Sequence, residues 1–261
     1  MSSSVYISGC SNSHYSFFNS IDQVWTNQLG YDKVYNHAVC GSSNDYITRR
    51  AIDFCSRQKP DLAIIQWTQI PRSETFGRPT SVSEVINEDH NYEPEVNCLQ
   101  AHTKENLKDY QWHQYFKPDF YASTPLGNWV ETPEGKGFTI QEDATTSLFN
   151  LIKNAYILQN FFKQRGQSFL FVNGGDWLHS NQFGYGGDIG SWYPLEFIDN
   201  FSDGPITAIQ PLAKELNRDR WPNINIMKDP QDLANDNEHP GPNTHQYFAQ
   251  EVKNYVDNRK F

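Results

Sequence analysis

Basic residues are scarce in this sequence. Its 21 Lys and Arg stand against 31 Asp and Glu, a formal net charge of −10. Affinity for nucleic acid rests on cationic contacts to phosphates, and no basic run offsets the deficit, so nucleic acid is excluded as a partner. Long apolar runs are also missing: nothing approaches the roughly 18–20 consecutive apolar residues of a membrane-spanning helix, and no membrane partner is expected. The first eight residues, Met1 to Ser8, carry neither a basic start nor an apolar stretch. They do not read as a signal peptide, so the expected setting is cytoplasmic; a phage-associated or non-classically exported protein would look the same. Only four cysteines occur, Cys10, Cys40, Cys55 and Cys98, and their spacings match no zinc or redox motif. Free thiols are expected, and a Cys10–Cys40 bridge is conceivable only if two strand ends lie side by side. No internal repeat or low-complexity tract is present, no cofactor or metal is implied, and nothing fixes an oligomeric state.

Aromatic residues, by contrast, are abundant: 17 Phe, 14 Tyr and 7 Trp. They bury much area per residue and so offset a modest apolar fraction. The first third alternates between two periodicities. Val5–Ser8 is a short β-rich run ended by Gly9. From Tyr15 to Leu29, apolar residues at Phe17, Phe18, Ile21, Val24, Trp25 and Leu29 fall near a helical period, and Gly30 supplies a stop. Lys33–Asn36 reads as a second strand and Asn44–Arg57 as a second helix. Leu62-Ala63-Ile64-Ile65 is a continuous apolar run of the kind found in parallel strands covered on both faces. The resulting β-α-β-α-β order predicts a parallel sheet between helices.

Residues from about 75 to 141 break the rhythm. This stretch, rich in Pro, Gly, Asn and aromatics, reads as a lid or substrate-facing insertion in a single domain spanning 1–261, with a short helix near Lys104–Phe116. Regularity returns with a helix over Ala144–Arg165 and a strand at Ser168–Val172. A helix over Ile206–Leu216, a fifth strand at Ile224–Met227 and a closing helix over Thr244–Arg259 follow.

Ligands of open parallel sheets bind beyond the carboxyl ends of the strands. Every predicted strand here is followed by a polar cluster: Cys10–Ser13, Gly41–Asn44, Gln66–Gln69, Asn173–Asp176 and Asp236–His245. The sharpest local signal is Asp236-Asn237-Glu238-His239-Pro240. A carboxylate three residues before a histidine can accept the imidazole Nδ1–H and leave Nε2 as a base. The competing reading is a solvated loop capping the last helix. Ser11, directly after the first strand, is a candidate nucleophile beside backbone N–H groups suited to an oxyanion; equally, it reads as a helix cap.

A serine after the first strand, a glycine after the second, a polar site after the third and Asp-x-x-His before the last helix together resemble the SGNH (GDSL-like) hydrolase superfamily. The resemblance covers residues 5–75 and 145–258. It implies a flavodoxin-like three-layer α/β/α sandwich with a five-stranded parallel sheet, hydrolysing a carbohydrate or small-molecule ester. Gly9-Cys10-Ser11 takes the place of Gly-Asp-Ser, which implies a catalytic Ser11–His239–Asp236 triad. The stretch from Asn36 to Gly41 corresponds to the second block, so the N–H groups of Ser11 and Gly41 are the implied oxyanion donors. The third block departs from the pattern. Its asparagine falls near Ile70, where Gln69, Thr68 and Arg72 are the donors on offer.

Other chemistries fit the same residues. A binding module could keep the rim as a carbohydrate pocket, with Trp67, Trp177 and His245 as candidate contacts. Aromatics of the insertion (Trp112, Tyr115, Phe116, Tyr121, Trp129) and of the later loop (Trp177, Tyr185, Trp192, Tyr193) would add stacking surface. Asp236, His239 and His245, with His14 or His179, could make a zinc set. Cys10 is a minor alternative nucleophile.

Overall fold

The computed structural model describes residues 3–40, 42–68, 144–175, 193–200 and 204–259, with the strand segments 74–76, 120–122, 178–179 and 191–192. At its centre four parallel strands lie in the order β2-β1-β3-β6. These are β1 (Ser4–Ser8), β2 (Lys33–Asn36), β3 (Leu62–Trp67) and β6 (Phe169–Asn173). Register is continuous across the sheet: Val5 pairs with Val34 on one side and Leu62 on the other, and Ile64 pairs with Leu170. Chain order reverses between β1 and β3, the switch point at which doubly wound sheets open a crevice.

Side chains alternate across each strand, and the alternation divides the core in two. Tyr6, Ala63, Ile65, Trp67, Phe169 and Phe171 face one layer, made chiefly by α1 (Asn44–Arg57) and α2 (Ala144–Gln164). Val5, Ile7, Leu62, Ile64, Leu170 and Val172 face the other, where α5 (Pro242–Asp257) packs with Val24, Trp25 and Leu29. The protein is therefore an α/β domain with a parallel sheet between helical layers, as predicted.

The helices follow their sequence signals. Ser43 caps α1 by accepting the Tyr46 N–H at 3.1 Å, and Arg57 pairs with Asp53 one turn back at 2.7 Å. Asn154 of α2 donates to Asp45 of α1 at 2.9 Å, fixing how the two helices meet. Gly166, with φ of +57°, ends the α2 segment in the left-handed region that glycine enters without penalty. At α5, Pro242 sits in the first turn, and the Asp232 carboxylate accepts the N–H groups of Asn243 and Thr244 at 3.0 and 2.9 Å.

Three expectations are corrected. The fifth strand is reduced to one parallel bridge, Asn173 to Asn225. Asn173 N–H donates to the Ile224 carbonyl and Ile226 N–H to the Asn173 carbonyl, after which the Asn225 side chain takes the Met227 N–H at 2.9 Å and turns the chain away. The helix expected over Tyr15–Leu29 is instead two 3-10 turns, Ile21–Gln23 and Trp25–Gln28. Ser20 and Gln23 form a reciprocal capping box around the first, and Val24 between the turns is extended. Polar side chains that bond nearby backbone compete with a continuous helix. Over Ile206–Leu216 the chain forms a 3-10 turn (Gly204–Ala208) and then short α4 (Gln210–Lys214), α3 being Pro194–Asn200. Antiparallel pairs join β4 (Glu74–Phe76) to β5 (Phe120–Ala122) and β7 (Leu178–His179) to β8 (Ser191–Trp192). The helix expected near Lys104–Phe116 lies outside the described residues.

Candidate active site

The carboxyl ends of the strands do converge. After β1, Cys10 leads into a 3-10 turn over Ser11–Ser13, closed by Ser13 N–H on the Cys10 carbonyl at 2.9 Å. Ser13 Oγ donates to Gln66 Oε1 of β3 at 2.6 Å and accepts the Trp25 indole N–H at 3.1 Å. Asn12 Nδ2 donates to the Gly174 carbonyl just past β6, and Asn36 Nδ2 at the end of β2 donates to the Ser13 carbonyl at 2.8 Å. The ends of all four strands thus hold one short turn.

Ser11 begins that turn and is 7 % exposed. Its Oγ has no hydrogen-bond partner among the described residues, and no side-chain cap bond forms there. The Ser11 N–H precedes the first bonded donor of the turn and is left available. Both features suit a nucleophile with an adjacent oxyanion donor. Neither is needed for a cap.

Asp236 and His239 sit on a loop between the Asn225 bridge and α5. Asp236 Oδ2 meets His239 Nδ1 at 2.5 Å, while Oδ1 accepts the backbone N–H groups of Glu238 and His239 at 3.1 Å each. The loop closes on itself through Ala234 N–H to the His239 carbonyl (2.8 Å) and Gly241 N–H to the Asp232 carbonyl (2.9 Å). Asn237 takes φ of +60°, a region asparagine tolerates better than most residues. Gly241 is required at the base of the loop, because a Cβ there would lie 2.5 Å from the Leu233 carbonyl oxygen. Partial burial works to raise the Asp236 pKa, but the His239 and Glu238 N–H groups and the His239 ring outweigh it and hold the carboxyl below its ordinary value. Asp236 therefore stays ionised and orients the imidazole.

The Asp236–His239 loop docks on the segment that leaves the Ser11 turn. Phe17 stacks on the His239 ring, and Asn235 Nδ2 donates to Asn19 Oδ1 at 3.2 Å. Ser11 Oγ and His239 Nε2 are not hydrogen-bonded to each other, and His239 Nε2 has no partner among the described residues.

Several predicted contacts have other positions. Trp67 is 1 % exposed and packs against Phe171 and Trp221 in the core, because strand alternation turns it with Ile65 toward α1 and α2. Tyr193 is buried too, its hydroxyl donating to the Trp221 carbonyl. His245 is fully buried: its Nδ1 accepts the Trp25 N–H at 3.1 Å, and burial pulls its pKa down to about 3. It ties α5 to the 3-10 turn below the rim and offers no ligand edge to solvent. Gly41, Gln69, Arg72 and Trp177 lie outside the described residues. Cys10, Cys40 and Cys55 form no disulfide, so there is no Cys10–Cys40 bridge; Cys10 and Cys55 are buried and Cys40 is half-exposed. Among the described residues no group of three or more His, Cys, Asp or Glu side chains could hold a metal ion, and no helix is long and apolar enough to cross a membrane.

The sequence placed Gln66 in the polar cluster beyond the third strand and gave it no role of its own, whereas it lies within β3. It is fully buried on β3, accepts from Ser13 Oγ, and lies 3.8 Å from the Cys10 thiol. The available signal was a lone amide inside an otherwise apolar strand. Phe17 likewise had no role of its own, since it looked like one more apolar position of a helix.

No protein-family model matches the chain, and no curated protein sequence matches it. Among solved structures, the chain is similar to the acetyl xylan esterase AlAXEase, at 11% identity, covering 97% of this chain and 99% of that one, with a TM-score of 0.44. It is similar to TesA at 12% identity, covering 97% of each, with a TM-score of 0.39. The psychrotrophic esterase EstA from Pseudoalteromonas sp. matches at 12% identity over 97% and 96%, with a TM-score of 0.41.

Proposed function

We propose that the protein is a serine-dependent ester hydrolase of SGNH type, acting on a carbohydrate or small-molecule ester. The observation that carries this reading is the Asp236–His239 pair. Its 2.5 Å contact, with the other carboxylate oxygen bonded to two backbone N–H groups, holds the imidazole in the way a general base requires, on a loop packed against the segment that follows an unengaged Ser11. Catalytic hydrogen bonds are commonly long before substrate binds, so an open Ser11–His239 gap is compatible with it.

The reaction is ordinary acyl transfer. Ser11 Oγ bonds to the acyl carbon while its proton passes to His239 Nε2. The negative charge moves to the carbonyl oxygen, which the Ser11 N–H faces, with Gly41 N–H and Gln69 or Arg72 as further donors in this proposal. Collapse breaks the bond to the alcohol oxygen, which takes the proton from His239. Water then adds to the acyl-enzyme, giving its proton to His239; the carboxylic acid departs as Ser11 Oγ is reprotonated.

The test is turnover of short-chain p-nitrophenyl esters and acetylated sugars by the wild type and Ser11→Ala. A fall in kcat of about 10⁴-fold or more is expected, the scale seen when a triad member is lost. Equal rates would remove Ser11 from the mechanism. The lack of an asparagine anywhere in residues 66–74 favours a second reading, a binding module retaining the rim. Losing one oxyanion donor costs about 100- to 1,000-fold in kcat. Labelling of Ser11 by a fluorophosphonate probe supports the hydrolase; an unmodified protein that still binds oligosaccharide supports the module.

A further inference from the structure

The imidazole of His239 has two edges and two faces, and Asp236 accounts for one edge. Phe17 accounts for one face. The ring centroids are 3.9 Å apart and the planes lie within 10° of parallel, the tightest aromatic pair among the described residues. Both partners are anchored through their backbones. Asn235 N–H reaches the Phe17 carbonyl at 3.5 Å, Phe18 N–H bonds the Tyr15 carbonyl at 3.0 Å, and Asn19 N–H bonds Gln23 Oε1 at 3.0 Å. The Phe17 ring is thus held in place by the same segment that leads away from Ser11.

A flat aromatic face has two consequences for a histidine. It stops rotation out of plane, which a single hydrogen bond at Nδ1 does not. It also presents the negative side of the ring quadrupole, which favours a cation within about 6 Å of the centroid. Desolvation opposes that effect, but the His239 side chain keeps 23 % of its surface, so water still reaches the ring. Among the described residues few other charges stand near it. On its own loop stand Asp236, already bonded to it, and Glu238. From α5 comes His245, neutral in its buried site, with Asp232 beyond. The segment from Tyr15 to Ser20 carries no charged side chain; His14 before it is also buried and neutral.

We propose that Phe17 is a positioning residue for the candidate base, fixing the plane of His239 and stabilising the imidazolium formed when His239 takes a proton. The inference rests on the reading of His239 as the base of a hydrolase. The contact between the two rings is present whether or not Ser11 reacts.

The experiment is an NMR titration of the His239 ring in the wild type, Phe17→Leu and Phe17→Trp, with the pH dependence of kcat/KM on p-nitrophenyl acetate measured alongside. Phe17→Leu is expected to lower the His239 pKa by roughly 0.5, from the usual strength of an exposed cation–π contact. It should also lower kcat about 3- to 10-fold at nearly constant KM, since an effect of this size on the transition state does not touch ground-state binding. Phe17→Trp, with the stronger ring, should raise the pKa. An unchanged or raised value in Phe17→Leu, or a lowered one in Phe17→Trp, overturns the proposal and makes Phe17 packing alone. Failure of the hydrolase reading is seen separately, as turnover that survives Ser11→Ala while the titration still responds to Phe17.

Discussion

At the scale of single residues, Asp236 has the most defined task. Its two oxygens are divided between the imidazole and the loop backbone, so one carboxylate both shapes the loop and orients the ring. Asp236→Asn separates these roles. The amide oxygen can still accept the backbone N–H groups, but no charge remains opposite the imidazolium, and an NH₂ turned toward Nδ1 selects the wrong tautomer. We expect kcat to fall by about 10³- to 10⁴-fold with little change in thermal stability. A small kinetic effect with a large stability loss would instead mark Asp236 as part of the loop scaffold alone. The Asp236–His239 pair was legible in the sequence because both partners lie within four residues of each other. Ser11 is marked in the sequence only by its place after β1. Trp67 and His245 were misplaced because residue type does not reveal which face of a strand or helix a side chain shares. Strand alternation turns Trp67 into the core, and the Trp25 N–H claims His245.

At the scale of elements, the β1 turn depends on the tips of β3 and β6. Gln66, inside β3, receives Ser13 Oγ, and Gly174 passes so close that a Cβ there would overlap the Gln66 side chain. Gly174→Ala must therefore displace a buried amide, and overpacking of this kind typically costs about 1–3 kcal/mol. Gln66→Ala on its own loses the Ser13 contact and leaves a gap. Combined, the two changes should cost less than their sum by about 1 kcal/mol or more, a coupling that urea unfolding of the four proteins of the cycle measures. Strict additivity would show that Gly174 and Gln66 do not share this space. Continuous apolar runs and capped amphipathic stretches made β1, β3, β6, α1, α2 and α5 readable from the sequence. The 3-10 turns at Ile21–Gln28 were not readable, since their apolar spacing mimics a helix while the Ser20–Gln23 capping box acts locally. Nor was the truncated fifth strand: Ile224–Met227 has strand composition, but the Asn225 side chain captures the backbone after a single bridge.

For the whole molecule, the buried His14 and His245 are expected to shape the response to acid. Burial pulls His14 down to about 4 and His245 down to about 3, from an ordinary value of 6.5. Their folded pKa values lie below the unfolded ones, so the unfolded chain binds more protons as pH falls. The stability they contribute is complete above about 6.5 and is lost progressively from there toward 4 and 3. Each proton contributes a slope of about 1.4 kcal/mol per pH unit, so the pair approaches about 2.7 kcal/mol per unit near pH 5. Against a typical stability of about 5–15 kcal/mol, a slope of that size is a large fraction of the total. The net charge of −10 acts the other way, because titrating carboxylates relieves repulsion as pH falls. Near 0.15 M salt the Debye length is about 8 Å, which damps surface repulsion and leaves the buried sites in control. Depressed pKa values at Asp232 and Asp236 add a further loss only below about 4. Urea unfolding at constant salt, from pH 7.5 to 4.5, should therefore show stability falling with a slope that steepens below 6.5. His245→Gln lowers stability throughout but should flatten that slope by nearly one proton, because the amide does not titrate. A pH-independent unfolding free energy over this range would mean that His14 and His245 are protonated alike in the folded and unfolded chain, and that their burial does not govern the acid limit.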